Sequence, residues 1–313
     1  MENQLNIAFF GTSDRSNPIL ETLHKNFNLA LCVTKADTKV GRKQEIRETQ
    51  VKTWTRTNQI PCITINNIKV DQETIINTLK QHKIDLAIVA DFSFLLPQAI
   101  IDTPKYKMIN IHFSLLPKYR GASPVQFAIL NGDKVTGVTY YLMAKGMDTG
   151  DIIFQFKHEL TAKEISGELY NILFKKAAEK LPDVINNLIS GKLSPTPQDN
   201  NQATYCWSKT NSKTTFILKD DAKIDWELSA AEIERLVRAY HPWPIAWTTL
   251  EDLENAGKTR LVNSFTIKNN VDKKVKIFAT ELVDGEKLQI IELQVEGKNK
   301  TDWKSFLNGY AVV

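Results

Sequence analysis

Asn110 and His112 lie two residues apart in the apolar run 108–113 (MINIHF). Because side chains alternate between the two faces of a strand, this pair would share one face, opposite Ile109 and Ile111. An amide beside an imidazole can hold a carbonyl group and stabilise the oxyanion that forms when an amine attacks it. A histidine in a strand can also be purely structural, so the pair alone leaves both roles open.

A carboxylate follows the apolar run 137–143, in the turn formed by Asp148, Thr149, Gly150 and Asp151. Placed beside His112, Asp148 would favour the imidazolium form, or would accept the proton of an attacking amine directly or through water. An aspartate in a turn can instead simply accept hydrogen bonds from nearby backbone N–H groups. The spacing does not choose between these roles.

The composition limits the class of protein that could present these residues. A chain of 313 residues has room for two domains, each with its own core. The formal charge of +4 permits a nucleic-acid partner but is far weaker than that of a dedicated DNA or RNA binder. Three widely spaced cysteines without a CxxC motif predict neither disulfides nor a zinc site. With no signal-peptide pattern or membrane-spanning run, the sequence predicts a cytoplasmic protein.

Continuous apolar runs in the first half of the chain predict the buried parallel strands of an α/β sheet. These runs span 5–10, 29–33 and 86–90. A helix is predicted to begin at Asn17-Pro18, and the polar residues 35–52 predict an exposed loop before helix resumes near 51–58. Further helix starts are predicted at Ser123-Pro124 and at the capping-box pair Thr161 and Glu164, and Pro182 is predicted to start or kink a second helix that runs to Gly191.

The composition changes at 191–203 (GKLSPTPQDNNQA), which is polar and contains two prolines. Beyond it, Ser229 and Glu232 form a capping-box pattern, and strand-like runs follow at 245–250, 275–279 and 288–295. The sequence therefore predicts a first domain over 1–190, a linker over 191–207, and a small β-rich domain over 208–313.

Several separated motifs occur in the order found in the active site of the folate-dependent formyltransferases, which the chain resembles. They are Asn110-Ile111-His112, 114–125 (SLLPKYRGASPV), 137–139 (GVT) and 148–151 (DTGD). The resemblance implies a Rossmann-like first domain, 10-formyltetrahydrofolate as the formyl donor, and no metal. It also implies that Asn110, His112 and Asp148 are catalytic, and that the folate site includes Ser114, Leu115, Leu116 and Pro117.

The second half of the chain bears on the acceptor of the formyl group. Residues 224–247 and 285–309 resemble the second domain of the methionyl-tRNA formyltransferase family. This implies an OB-like β-barrel that helps to hold initiator methionyl-tRNA, while a basic loop with Arg42 and Lys43 enters the acceptor stem. The expected partners are therefore initiator methionyl-tRNA and a reduced folate, with no DNA or membrane, and the chain is expected to be a monomer.

Three features depart from the pattern of that family. Arg15 stands where an aromatic residue is more common, Ser93 stands where a glycine usually follows an aromatic residue, and the segment 207–218 is longer than usual. Two alternative functions stay open. An amino-sugar nucleotide formyltransferase would share the first-domain residues, and a non-catalytic tRNA-binding protein would have lost its donor pocket at Arg15 and Ser93. Neither GxGxxG after the first strand nor GxxxxGK[ST] occurs, so dinucleotide and nucleoside-triphosphate sites lack support.

Overall fold

The computed structural model of the protein describes residues 5–40, 44–268 and 272–312. The first part of the chain forms a seven-stranded sheet. Its strands are β1 (Asn6–Gly11), β2 (Asn28–Lys35), β5 (Cys62–Ile65), β6 (Leu86–Ala90), β7 (Met108–His112), β8 (Val135–Leu142) and β9 (Ile152–Glu159). A separate hairpin consists of β3 (Thr38–Val40) and β4 (Glu45–Arg47).

The order of the sheet is β5-β2-β1-β6-β7-β8-β9. Neighbours from β5 to β7 run parallel, and β8 is antiparallel to β7. The predicted strands near 5–10, 29–33 and 86–90 are confirmed, and Leu86–Ala90 is buried along its whole length, as expected for a strand covered on both faces.

Within the described residues, six α-helices lie between these strands or directly after the last of them. They are α1 (Asn17–Asn26), α2 (Gln50–Thr57), α3 (Gln72–Gln81), α4 (Gln98–Ile101), α5 (Pro124–Leu130) and α6 (Ser166–Ile189). The predicted helix starts at Asn17 and near residue 51 are confirmed. The predicted exposed loop over 35–52 is wrong in part, because the hairpin and the start of α2 lie within it. The side chains of β4 are all exposed, so the hairpin has no apolar pattern that would reveal it.

Of the two possibilities predicted for Pro182, the start of a second helix is wrong. Pro182 lies inside the single helix α6, where Leu181, Val184 and Ile185 are buried on either side of it. This apolar packing offsets the backbone hydrogen bond that proline cannot make. Glu164 does accept a hydrogen bond from the Thr161 N–H, but the helix begins only at Ser166, so the pair closes a turn and caps no helix.

The remaining elements belong to the C-terminal part of the chain. They are α7 (Ala230–Ala239), β10 (Ala246–Thr249), α8 (Leu250–Thr259), β11 (Thr266–Ile267), β12 (Lys274–Val283), β13 (Lys287–Val295), β14 (Thr301–Asp302), α9 (Trp303–Tyr310) and β15 (Ala311–Val312). Strands β10, β12, β13 and β14 form an antiparallel sheet, and β11 pairs with β15. The capping box of Ser229 and Glu232 is confirmed at the start of α7.

The described residues divide into two compact units. One unit extends to Arg120 and includes Gly137–His158 and Tyr170–Thr204; the other contains Gly121–Thr136, Glu159–Leu169 and the chain from Tyr205 onward. This division differs from the sequence-based boundaries, because residues 191–204 belong to the first unit and α5 to the second. None of the described helices is long and apolar enough to cross a membrane.

Candidate active site

Strands β7 and β8 bring together the polar side chains of the candidate site. Their antiparallel register sets Asn110 opposite Tyr141 and His112 opposite Thr139. Because directly opposed residues point to the same face of a sheet, the four side chains project on one side. The flanking apolar side chains Ile109 and Ile111 are buried, which fixes the strand in this register.

The Tyr141 hydroxyl joins two of the predicted catalytic residues. The Asn110 Nδ2 group donates to the Tyr141 oxygen at 2.9 Å, and the Tyr141 hydroxyl donates to Asp148 Oδ1 at 2.7 Å. Burial, together with the nearby Asp148 charge, raises the pKa of Tyr141 well above its ordinary value. Tyr141 therefore keeps its proton and holds the Asn110 amide and the Asp148 carboxylate in a fixed relation.

His112 is oriented by a backbone carbonyl. Its Nε2 atom lies 2.9 Å from the Tyr119 oxygen. A carbonyl oxygen can only accept, so Nε2 must carry the hydrogen, and Nδ1 is the nitrogen that faces Asp148. Nδ1 lies 3.7 Å from Asp148 Oδ2, and the two side chains are 6% and 14% exposed. The separation exceeds a hydrogen bond but allows an ion pair when the imidazole is protonated.

The loop Ser114–Pro117, predicted as part of a folate site, is held against β8. Thr139 Oγ1 donates to Ser114 O at 2.7 Å and accepts from the Leu116 N–H at 3.1 Å. Gln155 Nε2 donates to both Leu116 O and Thr139 Oγ1, each at 2.8 Å. Ser114 and Leu116 are buried, whereas Leu115 and Pro117 are half-buried.

Gly137 is required for this packing of the loop. A Cβ atom at Gly137 would lie 2.1 Å from the Phe156 carbonyl oxygen and 2.5 Å from Leu115 Cδ2. A side chain at position 137 would therefore displace both the adjacent strand and Leu115.

The two departures near β1 and β6 have a structural explanation. The Arg15 guanidinium carbon lies 4.5 Å from the centre of the Tyr170 ring, so Arg15 makes a cation–π contact where an aromatic residue is more common. The Ser93 N–H donates to Thr12 Oγ1 at 3.3 Å. The left-handed residue of this loop is Asp91, with φ +49°, so the backbone has no need of glycine at position 93.

Arg42 and Lys43, predicted to bind tRNA, lie outside the described residues. Among the residues that the structure does describe, no group of three His, Cys, Asp or Glu side chains is arranged to hold a metal ion.

The structure thus brings Asn110, His112 and Asp148 into one cluster and adds Tyr141, Thr139 and Gln155 to it. Sequence reasoning missed the added residues because it could not register β7 against β8. The alternation within β8 was a usable signal, since Thr139 and Tyr141 are two residues apart and so share a face.

Comparison with known proteins matches both halves of the chain. Residues 5–185 match the family described as formyl transferase, and residues 217–311 match the family described as formyl transferase, C-terminal domain.

Several bacterial methionyl-tRNA formyltransferases are similar to the chain over nearly its full length. The chain is 34% identical over 315 residues to the enzyme of Clostridium perfringens (strain 13), covering 98% of both chains. It is 34% identical over 313 residues to that of Geobacillus sp. (strain WCH70), covering 97% of this chain and 94% of the relative.

Solved structures show the same fold at lower identity. A methionyl-tRNA formyltransferase from Clostridium thermocellum has a TM-score of 0.57 at 16% identity and covers 93% of this chain and 98% of its own. An N-formyltransferase from Helicobacter canadensis, in complex with folinic acid and dTDP-3-aminofucose, has a TM-score of 0.61 at 18% identity and covers 95% and 100%.

Proposed function

The chain belongs to the methionyl-tRNA formyltransferase family, and on that premise we propose that it transfers a formyl group from 10-formyltetrahydrofolate to the α-amino group of methionyl-initiator-tRNA. The product would serve the initiation of translation. The 34% identity extends through both halves of the chain, which supports a tRNA acceptor. The similar sugar formyltransferases share only 18% and 20% identity, a likeness that bears on the fold alone.

The observation that carries this proposal is the hydrogen-bonded cluster of Asn110, Tyr141 and Asp148 beside His112. The bound donor would supply the formyl carbon that the methionine amine attacks. Negative charge then develops on the formyl oxygen and requires preorganised hydrogen-bond donors. An amide and an imidazole in a largely buried setting fit that requirement.

Asn110 and His112 each have a donor suited to the formyl oxygen. The Asn110 amide carries two hydrogens, of which Tyr141 accepts one, so the second can be donated to substrate. His112 keeps its Nε2 hydrogen on the Tyr119 carbonyl, so its contribution would come from a protonated Nδ1. Together the two donors would stabilise the charge that forms during attack.

Asp148 has two oxygens with different surroundings. Oδ1 accepts the Tyr141 hydroxyl, and Oδ2 lies toward His112 Nδ1. In the proposed reaction Oδ2 favours the charged imidazole and accepts the proton that the amine nitrogen loses as the new C–N bond forms. The bond between the formyl carbon and the folate nitrogen would then break, and tetrahydrofolate would leave with that proton on its nitrogen. The carboxylate would act directly or through one water.

The remaining assignments follow from the family. The donor would bind beside the loop Ser114–Pro117, with Arg15 stacked on Tyr170 in place of an aromatic residue. The loop with Arg42 and Lys43 would contact the tRNA, and the C-terminal part would hold it on an OB-like barrel. We further propose that the domains are 1–190 and 208–313, with residues 191–204 attached to the first domain, and that the enzyme is a cytoplasmic monomer.

A direct assay tests the acceptor. The purified protein is incubated with 10-formyltetrahydrofolate, initiator methionyl-tRNA and a competing dTDP-amino sugar, and the tRNA is followed by acid-gel mobility. The proposal predicts formylated tRNA and an unmodified sugar. Transfer to the sugar alone would reject the tRNA acceptor. Transfer to neither, with no binding of a reduced folate, would instead support the non-catalytic alternative.

A further inference from the structure

Residues 196–204, which we call the strap, connect the loop that follows His112 with the turn that carries Asp148. The strap begins on β9, where Thr196 and Ile152 exchange two backbone hydrogen bonds of 2.8 Å. It ends at Thr204, whose carbonyl accepts the Arg120 N–H at 2.8 Å and whose Oγ1 accepts the Tyr119 N–H at 2.9 Å. Its polar, proline-containing sequence gave it the appearance of a linker.

Gln198 of the strap holds the turn that carries Asp148. Its Nε2 group donates to Asp148 O at 2.8 Å and to Gly150 O at 2.7 Å. One side-chain amide thus uses both of its hydrogens on the two carbonyls that bracket this turn. Asp148 has φ +53°, an unfavourable conformation for a residue with a Cβ, so the turn needs bonds of this kind to keep its shape.

Arg120 fixes the orientation of the Gln198 amide. Arg120 Nε and Nη2 donate to Gln198 Oε1 at 3.2 and 2.7 Å, and Nη2 also donates to Asn200 Oδ1 at 2.7 Å. A guanidinium can only donate, so Oε1 must face Arg120 and the NH₂ group must face the two carbonyls. Arg120 is 2% exposed, which means that its charge is held by these bonds within the first unit.

The other end of the strap acts on His112 through Tyr119. The Tyr119 carbonyl accepts the His112 Nε2 hydrogen, and the Tyr119 N–H is held by Thr204. The strap therefore contacts the backbone groups that support both catalytic candidates.

We propose that Gln198, oriented by Arg120, is a positioning residue for formyl transfer: it sets the Asp148 carboxylate against His112 Nδ1. This proposal rests on the function proposed above. A displacement of about 1 Å in a catalytic group can cost on the order of 100-fold in rate. Loss of the two carbonyl contacts is therefore expected to lower kcat by roughly 10- to 100-fold, with little effect on either KM.

Gln198→Glu separates positioning from a merely structural role. The new carboxylate keeps its bonds to Arg120, so the strap stays attached, but it has no hydrogens for Asp148 O and Gly150 O and repels both oxygens. If Gln198 only anchored the strap, this variant would behave like the wild type. Gln202→Glu is the matched control, since Gln202 lies in the same strap and its side chain contacts Asp199.

The test measures kcat, both KM values and the thermal unfolding midpoint for wild type, Gln198→Glu and Gln202→Glu, using methionyl-tRNA and 10-formyltetrahydrofolate. A double-mutant cycle adds Asp148→Asn with and without Gln198→Glu. If Gln198 acts through the Asp148 carboxylate, the two effects are coupled. Adding Gln198→Glu to the Asp148→Asn variant should then lower kcat by less than about threefold.

Three results would support the proposal together: a lower kcat in Gln198→Glu, wild-type kinetics in Gln202→Glu, and non-additivity with Asp148→Asn. An unchanged kcat in a folded Gln198→Glu variant would overturn it, as would multiplicative losses in the cycle. Both outcomes leave the proposed function intact, provided that the wild type formylates the tRNA. Failure of the wild type itself would reject the function and the positioning role with it.

Discussion

Tyr141 shares its hydroxyl group between Asn110 and Asp148, so a single oxygen sets the spacing of an amide donor and a carboxylate acceptor. The raised pKa of Tyr141, caused first by burial and then by the Asp148 charge, keeps this phenol neutral. Such a bridge contributes to catalysis through geometry, because Tyr141 need not touch the reacting atoms.

Removing the hydroxyl in Tyr141→Phe is expected to lower kcat by roughly tenfold or more, since Asn110 and Asp148 lose their common partner in a buried site. Steady-state kinetics and thermal unfolding measure the two effects. Tyr140→Phe is the matched control: its hydroxyl donates to Ala177 O at 2.6 Å on α6, away from Asp148. That control is expected to lose about 1 kcal/mol of stability and to keep its kcat. Equal losses of kcat in both variants would rule out a specific role for the Tyr141 hydroxyl in linking Asn110 to Asp148.

For individual residues, residue type and the order of the motifs predict catalytic roles for Asn110, His112 and Asp148. It does not predict Tyr141 or Gln198, because their roles depend on strand register and on a contact across 48 to 50 positions. Gln198 follows a proline in a polar segment, and no local pattern distinguishes it from a surface residue.

At the level of secondary-structure elements, the long segment 207–218 is held in place by one buried carboxylate, that of Asp221. Asp221 is 1% exposed, and its oxygens accept from Ser208 Oγ, from the N–H and Oγ1 of Thr210, and from the Leu218 N–H, at 2.7 to 2.9 Å. Burial alone would raise the pKa of Asp221, but these hydrogen bonds together outweigh it and hold the pKa below its ordinary value.

Asp221→Asn should therefore reduce the free energy of unfolding at neutral pH by roughly 1 to 3 kcal/mol, because a donor replaces one acceptor. The folded-state pKa is depressed, so the stabilisation is fully present above the ordinary value of about 4 and is lost as the pH falls through the folded value. Denaturant unfolding at several pH values measures this. Asp220→Asn, at an exposed neighbouring position, is the control. A difference between wild type and Asp221→Asn that persists undiminished at pH 2 would contradict the account.

Helices and strands were predictable where burial gives their apolar residues a recognisable spacing in the sequence. The buried strands and the capping box of α7 show such patterns, whereas the β3–β4 hairpin does not, because its side chains are largely exposed. Pro182 does not begin a new helix, because burial of Leu181, Val184 and Ile185 keeps α6 continuous, and burial depends on tertiary packing that the local sequence does not reveal.

For the whole molecule, the net charge of +4 is too small to explain tRNA binding without local clustering of basic residues. The proposed tRNA contact at Arg42 makes this testable. Arg42→Ala is expected to raise the KM for methionyl-tRNA and to leave that for the folate unchanged, because a loop arginine contacts phosphates or stem bases.

The salt dependence of that KM provides the measurement. Arg42→Ala should lower the slope of log KM against log salt by about one, as expected when one phosphate contact is lost. Lys80→Ala, which removes the same charge from the exposed side of α3, is the control and should leave the slope unchanged. A wild-type slope in Arg42→Ala would rule out the contact.

The sequence predicts that the chain has two parts, but it does not predict where the chain passes from one to the other. The composition change at 191–203 marks the place where the chain leaves α6, but residues 196–204 pack on the first unit through Gln198 and Thr204. A polar segment that binds its own domain through hydrogen bonds has the same composition as one that binds nothing, so sequence alone cannot separate the two.

The central claim is that His112, beside Asn110 and Asp148, stabilises formyl transfer to methionyl-tRNA. The most direct test is the single-turnover rate of transfer from 10-formyltetrahydrofolate to methionyl-tRNA, at saturating concentrations, for wild type and a folded His112→Ala variant. We expect the single-turnover rate of the His112→Ala variant to be lower by a factor on the order of 10² to 10⁴, with binding of both substrates retained. A variant rate within about threefold of the wild type would contradict it, since such a change is far below the loss expected for a group that stabilises the transition state.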